Sequence, residues 1–338
     1  MRSCHNKYIL FFVAGAGLLL MLFFANIFCG SVSLPFTAVV DVLMGGDAGN
    51  EGWRLIVLQS RVPQAVTALL AGMSLSVAGL LLQTLFNNPL AGPEILGINS
   101  GAGLGVAVVM LLLQGVAGVG SYVLMLSGAF LGALLIIALV LSLSHLLSNN
   151  IYLLIAGLAI SYLASSAITL LNYFSTAEGV HSYLIWGMGG FGGVSVELLP
   201  LFSGVLLLLL FAALLLVKPL NVILLGEMYA RNLGVNTKLL RGSLLLIVGA
   251  ITATVTAFCG PISFIGLAVP HLARLALGTA NHRVLLPLTM VVGGGVALLC
   301  NLATQLPGES GLLPLAAITP LLGAPVIIYV VLKERNVR

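Results

Sequence analysis

The chain has 338 residues, of which 60% are hydrophobic and only 7% charged, and its mean hydropathy is +1.19. So few polar groups cannot coat a water-soluble globule of this size, so the composition excludes a soluble domain and reads as an integral membrane protein. The formal net charge of +4 is too small to point to a nucleic-acid partner.

Forty glycines, mostly inside apolar runs, favour helices packed closely in lipid, because a membrane barrel would alternate polar and apolar residues instead. At about 20 residues per span, the length fits roughly eight to eleven helices in one transmembrane domain, residues 1–338, with no separate soluble domain. Cys4, Cys29, Cys259 and Cys300 lack metal-ligand spacing and read as small apolar packers.

In chain order, Arg2 and Lys7 precede an apolar run over residues 8–28 that has no A-x-A cleavage pattern. This predicts a retained first span that starts in the cytoplasm. A polar outer interval, 30–61, holds Asp41, Asp47, Glu51, Arg54 and Arg61. The second span covers 62–86, with Pro63 in its first turn, where a missing N–H is harmless. NNPLAGPE then ends the helix at the inner face, since each proline pushes its predecessor out of the α region.

The third span, 95–113, carries Gly97, Gly101 and Gly105, and the fourth, 122–141, carries Gly128 and Gly132. Four-residue spacing stacks each set on one face and predicts close backbone approach to a neighbour. After the link SLSHLLSNN a fifth span covers 152–171. Residues 172–195 are too long for a turn and too polar for a span; they read as a short helix ending in a glycine-rich bend at 187–193. Such a segment either lines a cavity at membrane depth or forms an ordinary outer loop. The sixth span is 198–217, the seventh 243–258, the eighth a shorter segment at 267–277, the ninth 284–302 and the tenth 315–332.

Ten helices put both termini on one side. That topology places Arg2, Lys7, Lys218, Arg231, Lys238, Arg241, Arg274, Arg283, Lys333, Arg335 and Arg338 inside and leaves only Arg54 and Arg61 outside, as the positive-inside bias predicts.

Residues 218–241, KPLNVILLGEMYARNLGVNTKLLR, form the polar cytoplasmic loop where a soluble partner would touch the chain. No GxxxxGK[ST] occurs, so the chain holds no phosphate loop of its own. No predicted span has an acid or base near its middle, as an ion-coupled transporter would. Glu94 is the nearest carboxylate, beside Pro93 at a membrane face, where it suits a helix start. These features predict a pore whose energy comes from a separate motor docked on the 218–241 loop.

Five segments in order carry a resemblance: 61–103, IWGMGGFGGVS, GEMYARNLGVN, GPISFIGLAVPHLAR and LLPLAAITPLLGAPVIIYVVLKE. They resemble the FecCD-type permease family of ABC importers, which carry iron-siderophores, haem or cobalamin. The resemblance implies an all-α membrane subunit of about ten helices, with coupling helices in the cytoplasmic loop and a short outer pore-lining helix. It also implies a homodimer, or pairing with a paralogous permease, in the bacterial inner membrane, two cytoplasmic ATPase subunits and a periplasmic or lipid-anchored substrate-binding protein. ATP and magnesium would sit on the ATPase, with no cofactor on this chain and no enzymatic activity of its own. By position, Gly226, Glu227, Ala230, Arg231, Gly234 and Val235 correspond to the ATPase-coupling segment. Asn88, Pro89, Leu90, Ser148 and Asn149 correspond to the inner gate, and Tyr183, Trp186, Met188, Gly189 and Gly190 to the translocation path. Arg61, with Arg54 nearby, corresponds to the docking site for the binding protein. The family's second arginine is replaced by Gln64, and Leu312 stands where the family often has glutamate. The substrate expected from the family's commoner use is an iron chelate, a ferric siderophore or haem, with cobalamin as the alternative. An ion-driven secondary transporter is the competing class.

Overall fold

The computed structural model describes residues 2–46, 49–112, 119–147, 150–306, 308 and 311–335, and among these no residue forms a strand. The chain runs through α1 (Arg2–Phe28), the short outer helices α2 (Phe36–Leu43) and α3 (Glu51–Leu55), and α4 (Val62–Leu85). There follow α5 (Ile98–Ala107), α6 (Val119–Leu146), α7 (Asn150–Phe174), the short α8 (Ala177–Gly187) and α9 (Leu199–Leu215). Two short helices, α10 (Val217–Ile223) and α11 (Glu227–Asn232), come next. Then come α12 (Thr237–Cys259), α13 (Ile265–Leu277), α14 (His282–Thr304) and α15 (Leu315–Arg335). Six helices are long and apolar enough to cross a membrane, seven if the bent pair α9–α10 is one span. The other three expected spans are shorter apolar helices, Ile98–Leu112, Ile265–Leu277 and Leu315–Val330.

α4 is the axis of the bundle. It packs against α14, α13, α12 and α9, and every residue of it is buried except Val62, Gln64, Val66, Leu69 and Met73. A helix surrounded by protein must be apolar on all sides, and this one also needs small residues where neighbours come close. A Cβ on Gly72 would meet the Gly293 carbonyl and Ala297, and one on Gly79 would land on the Gly266 carbonyl. Ser76 Oγ lies 3.0 Å from Thr289 O, which ties the same face to α14.

α4 also starts earlier than the sequence suggests. The polarity of residues 51–61 predicts part of an outer loop, yet helix runs unbroken from Glu51 through a π-helical turn, Ile56–Arg61, into α4. The extra residue in that turn rotates the face so that both Val57 and Arg61 are buried.

The glycine pairs of α5 and α6 meet as their spacing predicts. Gly101 faces Gly132 and Gly105 faces Gly128, so close that a Cβ on either partner would strike the other's backbone. Gly97 departs from that pattern. It caps α5 in the left-handed region, at φ +78, and abuts Gly157 and Ser161 of α7. The proline-led turn Pro93–Leu96 must reverse direction before α5 begins, and only a residue free of Cβ strain does so cheaply.

Burial is uneven. The most apolar stretch of α7 is 17% buried, against 83% for the span containing α4. α8 contains no buried residue at all. These two helices leave an open face on one side of the bundle.

Candidate functional site

The 218–241 loop folds as two short helices. α9 bends by 51° into α10, and α11 stands between Gly226 at φ +103 and Gly234 at φ +83. Both turns demand positive φ, which explains why glycine brackets the EMYARN helix. Asn236 then caps α12 by accepting from Leu239 N at 3.0 Å.

Glu227 accepts from Arg231 Nη2 at 2.6 Å, Arg231 Nε donates to Thr237 Oγ1 at 3.0 Å, and Thr237 Oγ1 donates to Glu227 at 3.2 Å. An exposed pair of this kind contributes about 0.5 kcal/mol, so its effect is to hold α11 at a fixed angle to α12 rather than to stabilise the fold.

Ala230 is fully buried and Val235 half-buried, so these two expected contact residues anchor the loop from beneath. The residues that point outward are Met228, 80% exposed, Tyr229, 68%, and Leu233, 64%. Sequence reasoning passes over them. Their signal is nonetheless present as large apolar side chains stranded in a polar loop, a mark of an interaction surface.

The inner turn begins where α4 ends. Asn87 takes a left-handed conformation, φ 45, and Asn88 Oδ1 accepts from Leu90 N at 2.9 Å, closing a tight turn around Pro89. α13 grips this turn from one side. His271 Nε2 donates to Pro89 O at 2.7 Å, and Arg274 Nη1 donates to Gln83 Oε1 at 2.6 Å. A cavity of about 670 Å³ opens beside it, lined by Gln83, Thr84, Asn88, Pro89, His271 and Arg274 among others. Asn88, Pro89 and Leu90 are thus brought together, whereas Ser148 and Asn149 lie outside the described residues.

Just beyond, burial pushes the Glu94 carboxyl above its ordinary range, and the backbone N–H groups of Glu94 and Phe264 offset part of that rise.

On the outer side, Thr176 caps α8 by accepting from Gly179 N at 3.3 Å. The glycine-rich bend after α8 is stitched by main-chain bonds: Gly190 N donates to Cys259 O at 2.8 Å, and Ala316 N donates to Met188 O at 2.9 Å. Gly189 needs its positive φ of 65 to make that bend. A cavity of about 330 Å³ lies here, with Trp186, Gly189, Gly190, Gln64, Tyr122 and Leu312 in its wall and no charged side chain among its described lining residues.

Three of the five expected path residues therefore share one cavity. Tyr183 and Met188 do not. The Tyr183 ring sits 6.0 Å from that of Trp186 with its hydroxyl toward Gly103, and burial raises its phenol above the ordinary value. Met188 points outward.

Arg61 corrects the docking expectation. Its side chain is only 5% exposed, and it donates to Ile27 O at 2.9 Å, Phe28 O at 2.8 Å and Val32 O at 2.5 Å. The last carbonyls of a helix have no partner within it, and here a guanidinium fork supplies them. Arg61 thus staples the end of α1 to the start of α4, with its guanidinium inside the protein instead of on the outer surface. Arg54 remains exposed on α3. Gln64 is also engaged internally. It donates to Asn301 Oδ1 at 3.0 Å, and Asn301 Nδ2 donates to Asn26 Oδ1 at 2.7 Å, which joins α4, α14 and α1.

A family model described as the FecCD transport family matches residues 18–333. The chain belongs to the FecCD transport family. Members with similar sequences include the vitamin B12 import system permease protein BtuC of Klebsiella pneumoniae subsp. pneumoniae. It is 38% identical over 283 residues, covering 84% of each chain. BtuC of Escherichia coli O9:H4 is 35% identical over 318 residues, covering 91% of this chain and 95% of the relative. Among solved structures, an inward-facing conformation of a metal-chelate type ABC transporter superposes with a TM-score of 0.83 at 30% identity. It covers 95% of this chain and 98% of that one. The family assignment extends over α1 to α15, so loop, inner turn and outer cavity all lie within the matched region.

Proposed function

We propose that the chain is the membrane-spanning permease subunit of an ATP-driven importer for cobalamin. The observation that carries this reading is end-to-end similarity to vitamin B12 import permeases, over 91% of this chain and 95% of the relative. It displaces the iron chelate that the family's commoner use suggested, and the chelate-transporter neighbour agrees, since cobalamin is itself a chelated metal. The outer cavity supports it too. A wall whose described residues are glycine backbone, aromatic rings and leucine without a charged side chain suits a bulky, mostly neutral cargo better than an anionic siderophore.

Two copies of the chain would place the open faces of α7 and α8 around a shared path, with α5, α13 and α15 completing ten crossings and both termini in the cytoplasm. The path would open alternately to the two sides of a bacterial inner membrane. ATP and magnesium would bind the partner ATPases, whose movement reaches the permease through α10 and α11.

Reconstituted with its ATPase and binding protein, the permease is expected to take up labelled cyanocobalamin on addition of ATP, with little competition from ferric siderophores or haemin. Preferential uptake of a ferric siderophore would reverse the substrate assignment. Uptake that survives ATP removal, with an ion gradient maintained, would favour the ion-driven class instead.

Met228, Tyr229 and Leu233 supply the ATPase contact in this reading. Tyr229→Asp places a charge at the centre of an apolar contact and is expected to weaken co-purification of the ATPase at least tenfold while leaving the permease folded, since apolar hot spots dominate such interfaces. Undiminished co-purification would move the contact elsewhere.

On the outer face, Arg54 takes over the docking role from Arg61. Arg54→Glu is expected to slow association of the binding protein at low salt more than at high salt. An equal rate at both would remove charge from the docking step.

A further inference from the structure

A chain of polar contacts, partly exposed at α10 and buried at its far end, joins the cytoplasmic loop to the end of α4. Asn221, on α10, accepts the His282 backbone N–H through Oδ1 at 2.8 Å, and the same oxygen lies 3.0 Å from His282 Nδ1. Asn221 Nδ2 donates to Asn281 Oδ1 at 3.0 Å, the oxygen that caps α14 by accepting from Arg283 N. Across the ring, His282 Nε2 is 2.8 Å from Thr84 Oγ1, in the last turn of α4. His282 is 1% exposed and Thr84 is buried, so the contact between them is largely shielded, although both residues border the cavity of about 670 Å³.

The donors and acceptors fix the roles. Asn221 Oδ1 can only accept, so the neutral ring keeps its proton on Nδ1 and its Nε2 accepts from the Thr84 hydroxyl. That hydroxyl also lies 2.8 Å from Leu80 O in its own helix. Its single proton therefore has two alternative partners, one that ties α4 to α14 and α10, and one that releases it.

We propose that Asn221, His282 and Thr84 form a transmission link that passes displacement of α10 and α11 to the last turn of α4 and to the turn at 87–90. The link rests on the reading that a partner ATPase moves the cytoplasmic loop. Three features support it. The far end of the chain, His282 to Thr84, is buried, where a polar group that loses its partner is penalised, so α14 and the last turn of α4 move together or switch at this contact. Space to move is present, because the cavity of about 670 Å³ and a second of about 190 Å³ both border Thr84 and Asn87. The opposite side of the same turn is held by His271 and Arg274 of α13, so a pull from α10 acts against a fixed anchor.

The test follows the inner turn directly and needs no cargo. In the complex reconstituted with its ATPase, a Leu90→Cys probe on the exposed Leu90 is labelled with a soluble maleimide and quantified by mass spectrometry of its peptide, with and without ATP. In this background, ATP is expected to change the labelling rate about tenfold, the scale of a typical coupling between sites. Thr84→Val, which keeps the volume and removes the hydroxyl, is expected to abolish that change while ATP hydrolysis stays within about twofold, and Thr84→Ser is expected to restore it. His282→Leu, which keeps the backbone N–H to Asn221 but gives the Thr84 hydroxyl no partner on α14, is expected to behave like Thr84→Val. An ATP-dependent change that persists in Thr84→Val, or a parallel collapse of hydrolysis and labelling in both variants, would overturn the link. No ATP effect in the Leu90→Cys parent would instead overturn the ATP-driven reading and take the link with it.

Discussion

Gly79→Val is expected to leave almost no folded permease. A Cβ at this position falls on the Gly266 carbonyl and crowds the rest of that residue's backbone, and main chain cannot rotate out of the way as a side chain can. Relief requires α4 and α13 to separate. That in turn disturbs the contact of Gly266 with Leu75 and Pro93, which seats the turn before α5. Ordinary overpacking is worth about 1–3 kcal/mol, and a clash of backbone against backbone at the bundle axis belongs to the exceptional class above about 4 kcal/mol. Monodisperse yield after detergent extraction and the midpoint of thermal unfolding measure it. Gly204→Ala on α9 is the control: nothing lies within 4 Å of its Cβ, and alanine is the better helix former, so this variant should match or slightly exceed the parent. Parental yield and stability for Gly79→Val would mean that α4 and α13 do not touch as described.

Arg61→Ala is expected to destabilise the protein by about 3 kcal/mol without altering binding-protein affinity per folded molecule. Removing the guanidinium strands two carbonyls at the end of α1 and that of Val32 in the loop beyond it, and charged hydrogen bonds are the stronger class. Lysine should rescue poorly, because one ammonium on a flexible stem cannot reproduce a planar fork that spans Ile27, Phe28 and Val32. Thermal unfolding in detergent, read beside binding-protein titration, separates this from a docking role. Full stability with weakened docking would restore Arg61 to the outer surface.

The sequence disclosed whatever depends on periodicity and backbone chemistry. Apolar run length located the long spans, Pro89 and Pro93 marked the inner turn, and the glycine spacing in α5 and α6 announced their close approach. Gly226 and Gly234 bounded α11 because positive φ leaves a legible mark. What stayed hidden depends on three-dimensional neighbours. A π-helical turn has no composition signature, so the helical stretch 51–61 read as loop and Arg61 read as exposed. The contact residues of the loop were matched by position in the 226–235 segment, without the helical phase of α11, which turns Ala230 inward and leaves Met228 and Tyr229 outside. Nothing in the sequence singles out His282, since its partners Asn221 and Thr84 are far away along the chain.

The bend after α8 is anchored through main-chain N–H and C=O groups, at Gly190 to Cys259 and at Ala316 to Met188. An anchor of that kind does not read side-chain identity. Side chains that line the outer cavity can therefore be exchanged while its wall keeps its shape, save at Gly189, whose positive φ makes the bend. In the importer proposed above, that would free cargo preference to drift across descendants of one scaffold and leave discrimination to the protein that delivers the cargo.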